Sequence, residues 1–207
     1  MIRPPGWDGV VFSDASDGDL RNDRDARRSV ARSLELSPDW AEVRQVHRGD
    51  VVEVSSPGNA GEADALWTSE PGLPLAIFTA DCFGVVLSAP SAVGVAHAGW
   101  RGARVGLGAR LRQEMTAKGH EPQRAAIGPG IGPCCFEVGV EVSGEFPGRV
   151  ASTTWGTTSV DLPAVIEAQL TGLDTWTLGA CTRHEPGWFS HRADATEQRL
   201  ATIGWLP

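Results

Sequence analysis

Leu75-Ala76-Ile77-Phe78-Thr79-Ala80, Val85-Val86-Leu87 and Val93-Gly94-Val95-Ala96 follow one another with short interruptions. Continuous apolar runs of this length read as strands covered on both faces. Val51-Val52-Glu53-Val54 and Ala65-Leu66-Trp67-Thr68 give two strands before them. Ala125-Ala126-Ile127 and Thr175-Trp176-Thr177-Leu178 give two after them. Between these runs the period changes. Leu107, Leu111 and Met115 recur at helical spacing among Arg110, Arg112 and Lys118, which predicts a surface helix ending at Gly119. Ala26, Val30 and Leu34 mark a helix over 26–36, with Asp23 or Asp25 as its cap. Leu162, Val165, Ile166 and Leu170 mark another over 162–171. Residues 13–25 are polar and read as a surface loop. The pattern is α/β, with several buried strands and few long helices.

At 207 residues the chain fits one domain, and a compact fold of that size buries roughly 70% of its unfolded surface without disulfide staples. A net charge of -8 argues against nucleic acid and against an anionic membrane as partners, since both need a cationic face. A small anionic substrate stays compatible, because a local arginine cluster can oppose the global sign. No apolar run is long enough to span a bilayer, and the first residues lack the apolar core of a signal peptide. The expected location is cytoplasmic, with the four cysteines as reduced thiols or metal ligands. Cys134, Cys135 and Cys181 are expected as small core residues.

Three residues carry chemical interest. His47 lies just before a strand, in Arg44-Gln45-Val46-His47-Arg48-Gly49. Cys82 follows the apolar run at 75–80, and His97 ends the run at 93–96. Strand ends fix a side chain while presenting it to loops, where sites are built. The spacing leaves three readings open: a metal site, a thiol–imidazole pair, or a buried thiol beside two satisfied histidines.

The words around these residues add a resemblance. Gln45-Val46-His47, Ala63-Asp64-Ala65-Leu66, Thr79-Ala80-Asp81-Cys82 and His97-Ala98-Gly99-Trp100-Arg101-Gly102 occur in that order. Ile127-Gly128-Pro129-Gly130-Ile131-Gly132-Pro133-Cys134-Cys135-Phe136-Glu137-Val138-Gly139 and Phe189-Ser190-His191-Arg192 follow. Together they resemble the YfiH-like family, also called laccase-domain or polyphenol oxidase proteins. The resemblance covers about residues 43 to 192. It implies a single-domain α/β layered sandwich with mixed β-sheets over 1–207. It also implies a zinc site made by His47, Cys82 and His97, which copper could occupy as a substitute. A literal multicopper oxidase is a poor match, because the chain has only five histidines and no His-x-His pair.

The activities the resemblance implies are phosphorolysis of adenosine, inosine or methylthioadenosine, and deamination of adenosine. The partners are then a small nucleoside and phosphate, in a monomer or small homo-oligomer. Three protein ligands leave a fourth position open, as catalytic zinc requires. Arg101 is the first candidate for phosphate and Arg192 the second, since a guanidinium offers a bidentate fork. The amides from Gly128 through Gly130 to Gly132 are a candidate anion nest. Asp64 and Asp81 are candidate acid/base groups, with Asp81 also a candidate for orienting a ligand. Two alternatives stand beside this reading. One is a Cys-His hydrolase or peptidoglycan-precursor editing factor, with Cys82 as nucleophile and His97 or His47 as base. The other is a divergent, non-enzymatic metal-binding paralogue. The departures from the family pattern at Ser13 to Gly18 and at Thr196 to Arg199 favour that last reading, because they remove an expected arginine and shift another.

Overall fold

The computed structural model describes residues 1–207. In chain order the elements are β1 (Val10–Phe12), α1 (Arg24–Ser33), β2 (Ala41–Arg44), β3 (Val51–Glu53), β4 (Gly58–Glu62), β5 (Ala65–Thr68) and β6 (Leu75–Thr79). Next come β7 (Phe83–Ala89), β8 (Ala92–Ala98), α2 (Trp100–Arg104), α3 (Leu107–Ala117), β9 (Arg124–Ile127) and α4 (Val140–Ser143). The chain ends with β10 (Val150–Ser152), β11 (Thr158–Val160), α5 (Leu162–Gln169), β12 (Asp174–Thr177), α6 (His191–Asp194) and β13 (Leu200–Gly204).

Two mixed sheets stack face to face. The first has the order β1-β13-β6-β2-β4 and the second β12-β9-β7-β8-β5-β3, while β10 and β11 form a separate hairpin. Side-chain alternation builds three cores from these two sheets. Along β6, Leu75 and Ile77 join Val86, Val93 and Val95 of the second sheet in the middle core. Ala76 and Phe78 point the other way, onto Val30 and Ala31 of α1 and onto Leu34 just after it. Beyond the second sheet, Val85, Leu87 and Ala96 pack on Leu107, Leu111 and Met115 of α3 and on Ile166 of α5. The result is a four-layer α/β sandwich with a helical layer on each side. Its sheets approach closely at Gly84, where any Cβ would lie 1.8 Å from Thr202 Oγ1.

The expected strands form within a few residues of their predicted bounds. The helix expected over 26–36 runs from Arg24 to Ser33, and Asp23 caps it by accepting the amides of Asp25 and Ala26. Gly119 ends α3 region as expected, at φ 87°. The segment 13–25 differs from the expected surface loop. Ser13 and Leu20 are fully buried, and Ser13 Oγ accepts the amide of Ala201.

The sheet pairing fixes where a site can form. The chain passes from the first sheet to the second three times, from β2 to β3, from β4 to β5 and from β6 to β7. His47, Asp64 and Cys82 sit in these three crossovers. His97 reaches the same place from β8, because the β5–β8 ladder pairs Ala65 with Ala96 and its extension brings the His97 amide to Asp64 O at 2.7 Å.

Candidate metal centre and cavity

Asp64 organises the first crossover. Its carboxylate is fully buried and accepts four consecutive backbone amides, from Val46 (3.1 Å), His47 (2.8 Å), Arg48 (2.6 Å) and Gly49 (3.1 Å). These amides form a nest that wraps an internal carboxylate. The wrap requires His47 to adopt φ 61°, a left-handed conformation uncommon outside glycine. Oδ1 of Asp64 also faces His97 Nδ1 at 3.3 Å. Burial alone would raise the Asp64 pKa; the His97 contact and the amides of Gly49, His47 and Arg48 outweigh it and hold the carboxyl well below its ordinary range.

The donor atoms of His47, Cys82 and His97 lie within 4.8 Å of one another. The two imidazoles meet edge to face, with centroids 4.6 Å apart. His97 is buried, Cys82 half-buried and His47 exposed, so the cluster opens on one side. With Nδ1 engaged by Asp64, Nε2 is the His97 nitrogen free to bind a metal, an arrangement that fixes tautomer and ring orientation. Gly99 supplies the room: a Cβ there would lie 2.8 Å from Cys82 Sγ. Burial would raise the Cys82 thiol, but the His97 charge and hydrogen bonds from His47 and His97 bring it down to about 6. Burial would lower His97, but the Cys82 thiolate and Asp64 push it up to about 9. Two imidazoles and a thiolate suit zinc, and copper also accepts this set. The five histidines of the chain do not suit a multicopper cluster.

The cluster forms the floor of a cavity of about 370 Å³. Phe78, Trp100, Phe136, Ile131 and Leu162 give it apolar walls, and Arg21, Arg192, Arg199 and His191 give it cationic or titratable ones. That volume is in the range of small-molecule pockets.

Several expected site residues have other positions. Arg101 does not line the cavity; it is exposed on α2 with its guanidinium 4.4 Å from the Trp100 ring centroid. The expected nest at Gly128 to Gly132 is also corrected. Its amides are already spent on Gly84 O, Ala180 O, Asp81 O and Cys181 Sγ, and Gly130 lies outside this cavity. Gly130 is glycine because a Cβ would strike the Phe83 ring at 2.5 Å. Asp81 lines the cavity at φ 84°, yet its carboxylate accepts Thr182 Oγ1 (2.8 Å), Ser190 Oγ (2.6 Å) and the Arg192 amide (2.6 Å). It pins the segment that carries His191 and Arg192, while the carboxylate beside the histidines is Asp64. Arg192 does line the cavity, with Nη1 donating to Glu137 O at 2.8 Å.

Arg21 and Arg199 were not singled out for the cavity from sequence. Arg199 is the shifted arginine of the Thr196 to Arg199 departure, and Arg21 lies on the same polar segment as the Ser13 to Gly18 departure. Cys134, Cys135 and Cys181 form a separate group with His184. No helix is long and apolar enough to cross a membrane.

Comparison with known proteins agrees with this fold. A curated purine nucleoside phosphorylase of Deinococcus radiodurans is 38% identical over 95% of this chain and 82% of its own length. The purine nucleoside phosphorylase ORF3 of Streptomyces griseus is 39% identical over 87% of this chain and 80% of its own. Among solved structures, the Bacillus licheniformis hypothetical protein YfiH superposes with a TM-score of 0.82 at 28% identity, covering 91% of this chain and 82% of that one. YlmD from Geobacillus stearothermophilus gives 0.81 at 29% identity, with the same coverage. The family model described as "Multi-copper polyphenol oxidoreductase laccase" matches residues 5–207, a span that holds the crossovers, the cluster and the cavity walls. The chain therefore belongs to this laccase-like YfiH family.

Proposed function

We propose that residues 1–207 act as one unit, a zinc-dependent purine nucleoside phosphorylase working in the cavity above His47, Cys82 and His97. The observation that carries this reading is the meeting of a zinc-type donor set, aromatic walls and three arginines in one cavity. The names of the curated relatives support a nucleoside substrate.

Zinc held by His47, Cys82 and His97 would supply a Lewis acid at the cavity floor. Asp64 holds the His97 ring in the tautomer that leaves Nε2 free. Phe78, Trp100 and Phe136 offer flat apolar surface to a purine. Arg192 and Arg199, with Arg21, attract phosphate and hold its oxygens. In phosphorolysis a phosphate oxygen bonds to C1′ of the ribose as the C1′–N bond breaks. The departing base keeps that electron pair and takes a proton. We assign to His191 the hydrogen bond or proton for the base. Deamination of adenosine uses water in place of phosphate and needs no arginine cradle, so it is the secondary activity.

The test incubates zinc-loaded protein with adenosine, inosine and methylthioadenosine, with and without inorganic phosphate. Release of free base together with the matching sugar 1-phosphate (ribose 1-phosphate from adenosine and inosine, methylthioribose 1-phosphate from methylthioadenosine), only when phosphate is present, is the expected result. Ammonia release from adenosine without free base would replace phosphorolysis by deamination. Absence of both products would leave the nucleoside reading without support.

A second reading draws on the same Cys–His geometry: a thiol hydrolase with Cys82 as nucleophile and His97 or His47 as base. Alkylation separates the two. A zinc-bound thiolate is shielded from iodoacetamide, whereas a nucleophilic thiolate reacts in the active protein.

A further inference from the structure

The parallel pairing of β9 with β12, Ala126 beside Trp176 and Ile127 beside Thr177, sends the chain out of both strands at the same end of the sheet. The two loops continue side by side. The Gly130 amide donates to Ala180 O and the Thr182 amide to Gly130 O. This register carries Cys134 and Cys135 on one loop to Cys181 and His184 on the other.

The three sulfurs and one imidazole nitrogen lie within 4.8 Å of one another. His184 Nδ1 is 3.6 Å from Cys134 Sγ and 3.4 Å from Cys135 Sγ. A tetrahedral ion with bonds of about 2.0–2.3 Å needs its donors roughly 3.3–3.8 Å apart. The ligand backbones are fixed independently of any ion. The Cys135 amide donates to Gly132 O, Cys134 O accepts the Thr154 amide, and the Cys181 amide donates to Glu185 Oε1 at 2.7 Å. The Gly132 amide points at Cys181 Sγ, 3.3 Å away, the kind of N–H contact that supports a metal-bound thiolate. Cys135 and Cys181 are buried, Cys134 is half-buried and His184 is exposed, so an ion could enter from the His184 side.

We propose that Cys134, Cys135, Cys181 and His184 form a second metal site, a closed Cys₃His centre for structural zinc. The donor set decides the class. Three thiolates select a soft ion, and four protein ligands leave no position for substrate. Its consequence is mechanical. The loop that begins at Cys181 also carries Thr182, Ser190 and Arg192, the three residues gathered by Asp81. An ion clamping this loop to the Cys134–Cys135 loop braces the wall that presents His191 and Arg192 to the cavity.

The site does not depend on the nucleoside reading, and its test separates the two. Protein is purified without a metal-affinity tag and its zinc measured by elemental mass spectrometry. Cys82→Ser removes a donor from the His47–Cys82–His97 group and should still hold about one zinc per chain. Cys82→Ser with Cys181→Ser should hold almost none. Cobalt loaded into Cys82→Ser protein should give intense thiolate-to-cobalt absorption with the visible bands of tetrahedral cobalt, both weakened in Cys82→Ser with His184→Ala. Folded Cys82→Ser protein that binds neither zinc nor cobalt overturns the proposal. So does an unreduced mass two hydrogens low that maps to a disulfide within Cys134, Cys135 and Cys181. The Cys82→Ser protein decides the question by itself if the double variants do not fold.

Discussion

Asp64 is a carboxylate with no exposed atom and five protein donors, so its charge is built into the fold. Replacing it with asparagine turns an NH₂ group toward backbone N–H donors. A buried donor left without an acceptor costs about 1–3 kcal/mol. Urea unfolding of Asp64→Asn at pH 7 should show at least that loss. Its pH dependence has a definite sign. The folded Asp64 pKa lies below the unfolded value of 3.8, so the stabilisation is complete above that value and fades as pH falls below it. The stability gap between the two proteins should therefore narrow from pH 5 toward pH 3, and a constant gap would show that the charge is not the cause. Cys82 makes a different prediction. Cys82→Ser should lose the ion of the His47–Cys82–His97 group and most nucleoside turnover, because a hydroxyl is a far poorer zinc ligand than a thiolate. Its thermal unfolding should stay cooperative. In the unmodified protein, zinc should protect Cys82 from iodoacetamide, and chelation should expose it, as read by peptide mass mapping.

Elements were legible where burial left a pattern. Leu75–Thr79, Phe83–Ala89 and Ala92–Ala98 are covered on both faces, and their apolar runs say so. Gly58–Glu62 is a strand with every residue exposed, and Gly58-Asn59-Ala60-Gly61-Glu62 carries no apolar signal. Leu200–Gly204 is fully buried, but Ala201, Thr202 and Gly204 dilute its hydrophobicity. Small residues there let the sheets approach, a requirement set by the partner sheet and not by the local sequence. The same contact yields a prediction. Gly84→Ala places a methyl against Thr202 and should destabilise by about 1–3 kcal/mol, the usual cost of overpacking. Thr202→Ala removes the nearest atom and should recover part of the loss. Denaturant unfolding of both single variants and the double variant measures that coupling, and strict additivity would mean the two residues do not meet. His47, Cys82, His97 and Arg192 could be named from motifs, whereas the cavity arginines Arg21 and Arg199 could not. Which arginine faces the cavity depends on where the segments around Arg21, α6 and Arg199 fold back, and Arg101, four residues after His97, lies exposed on α2 outside the cavity lining.

At the scale of the molecule, a chain of net charge -8 gathers Arg21, Arg192 and Arg199 around one concave site. A cleft of opposite sign to the rest of the surface concentrates its own anion locally while the whole repels anions weakly. Phosphate capture should then depend on salt, because exposed charges are screened over roughly 8–10 Å at physiological ionic strength. Under the proposed phosphorolysis, raising ionic strength should increase KM for phosphate, while KM for a nucleoside placed against the apolar walls should change little. Arg192→Ala should raise KM for phosphate about tenfold to a hundredfold, the equivalent of about 1.5–3 kcal/mol for a charge-assisted contact, and should flatten the salt dependence. Arg101→Ala removes an equal charge from the same surface but not from the cavity. It should shift KM by no more than about twofold, since a single exposed and screened charge acts only weakly at a distance. Steady-state kinetics on the three proteins across a salt series read all of these effects. Equal losses in the two variants would assign phosphate binding to general surface charge, and a larger loss in Arg101→Ala would move the phosphate site out of the cavity to α2.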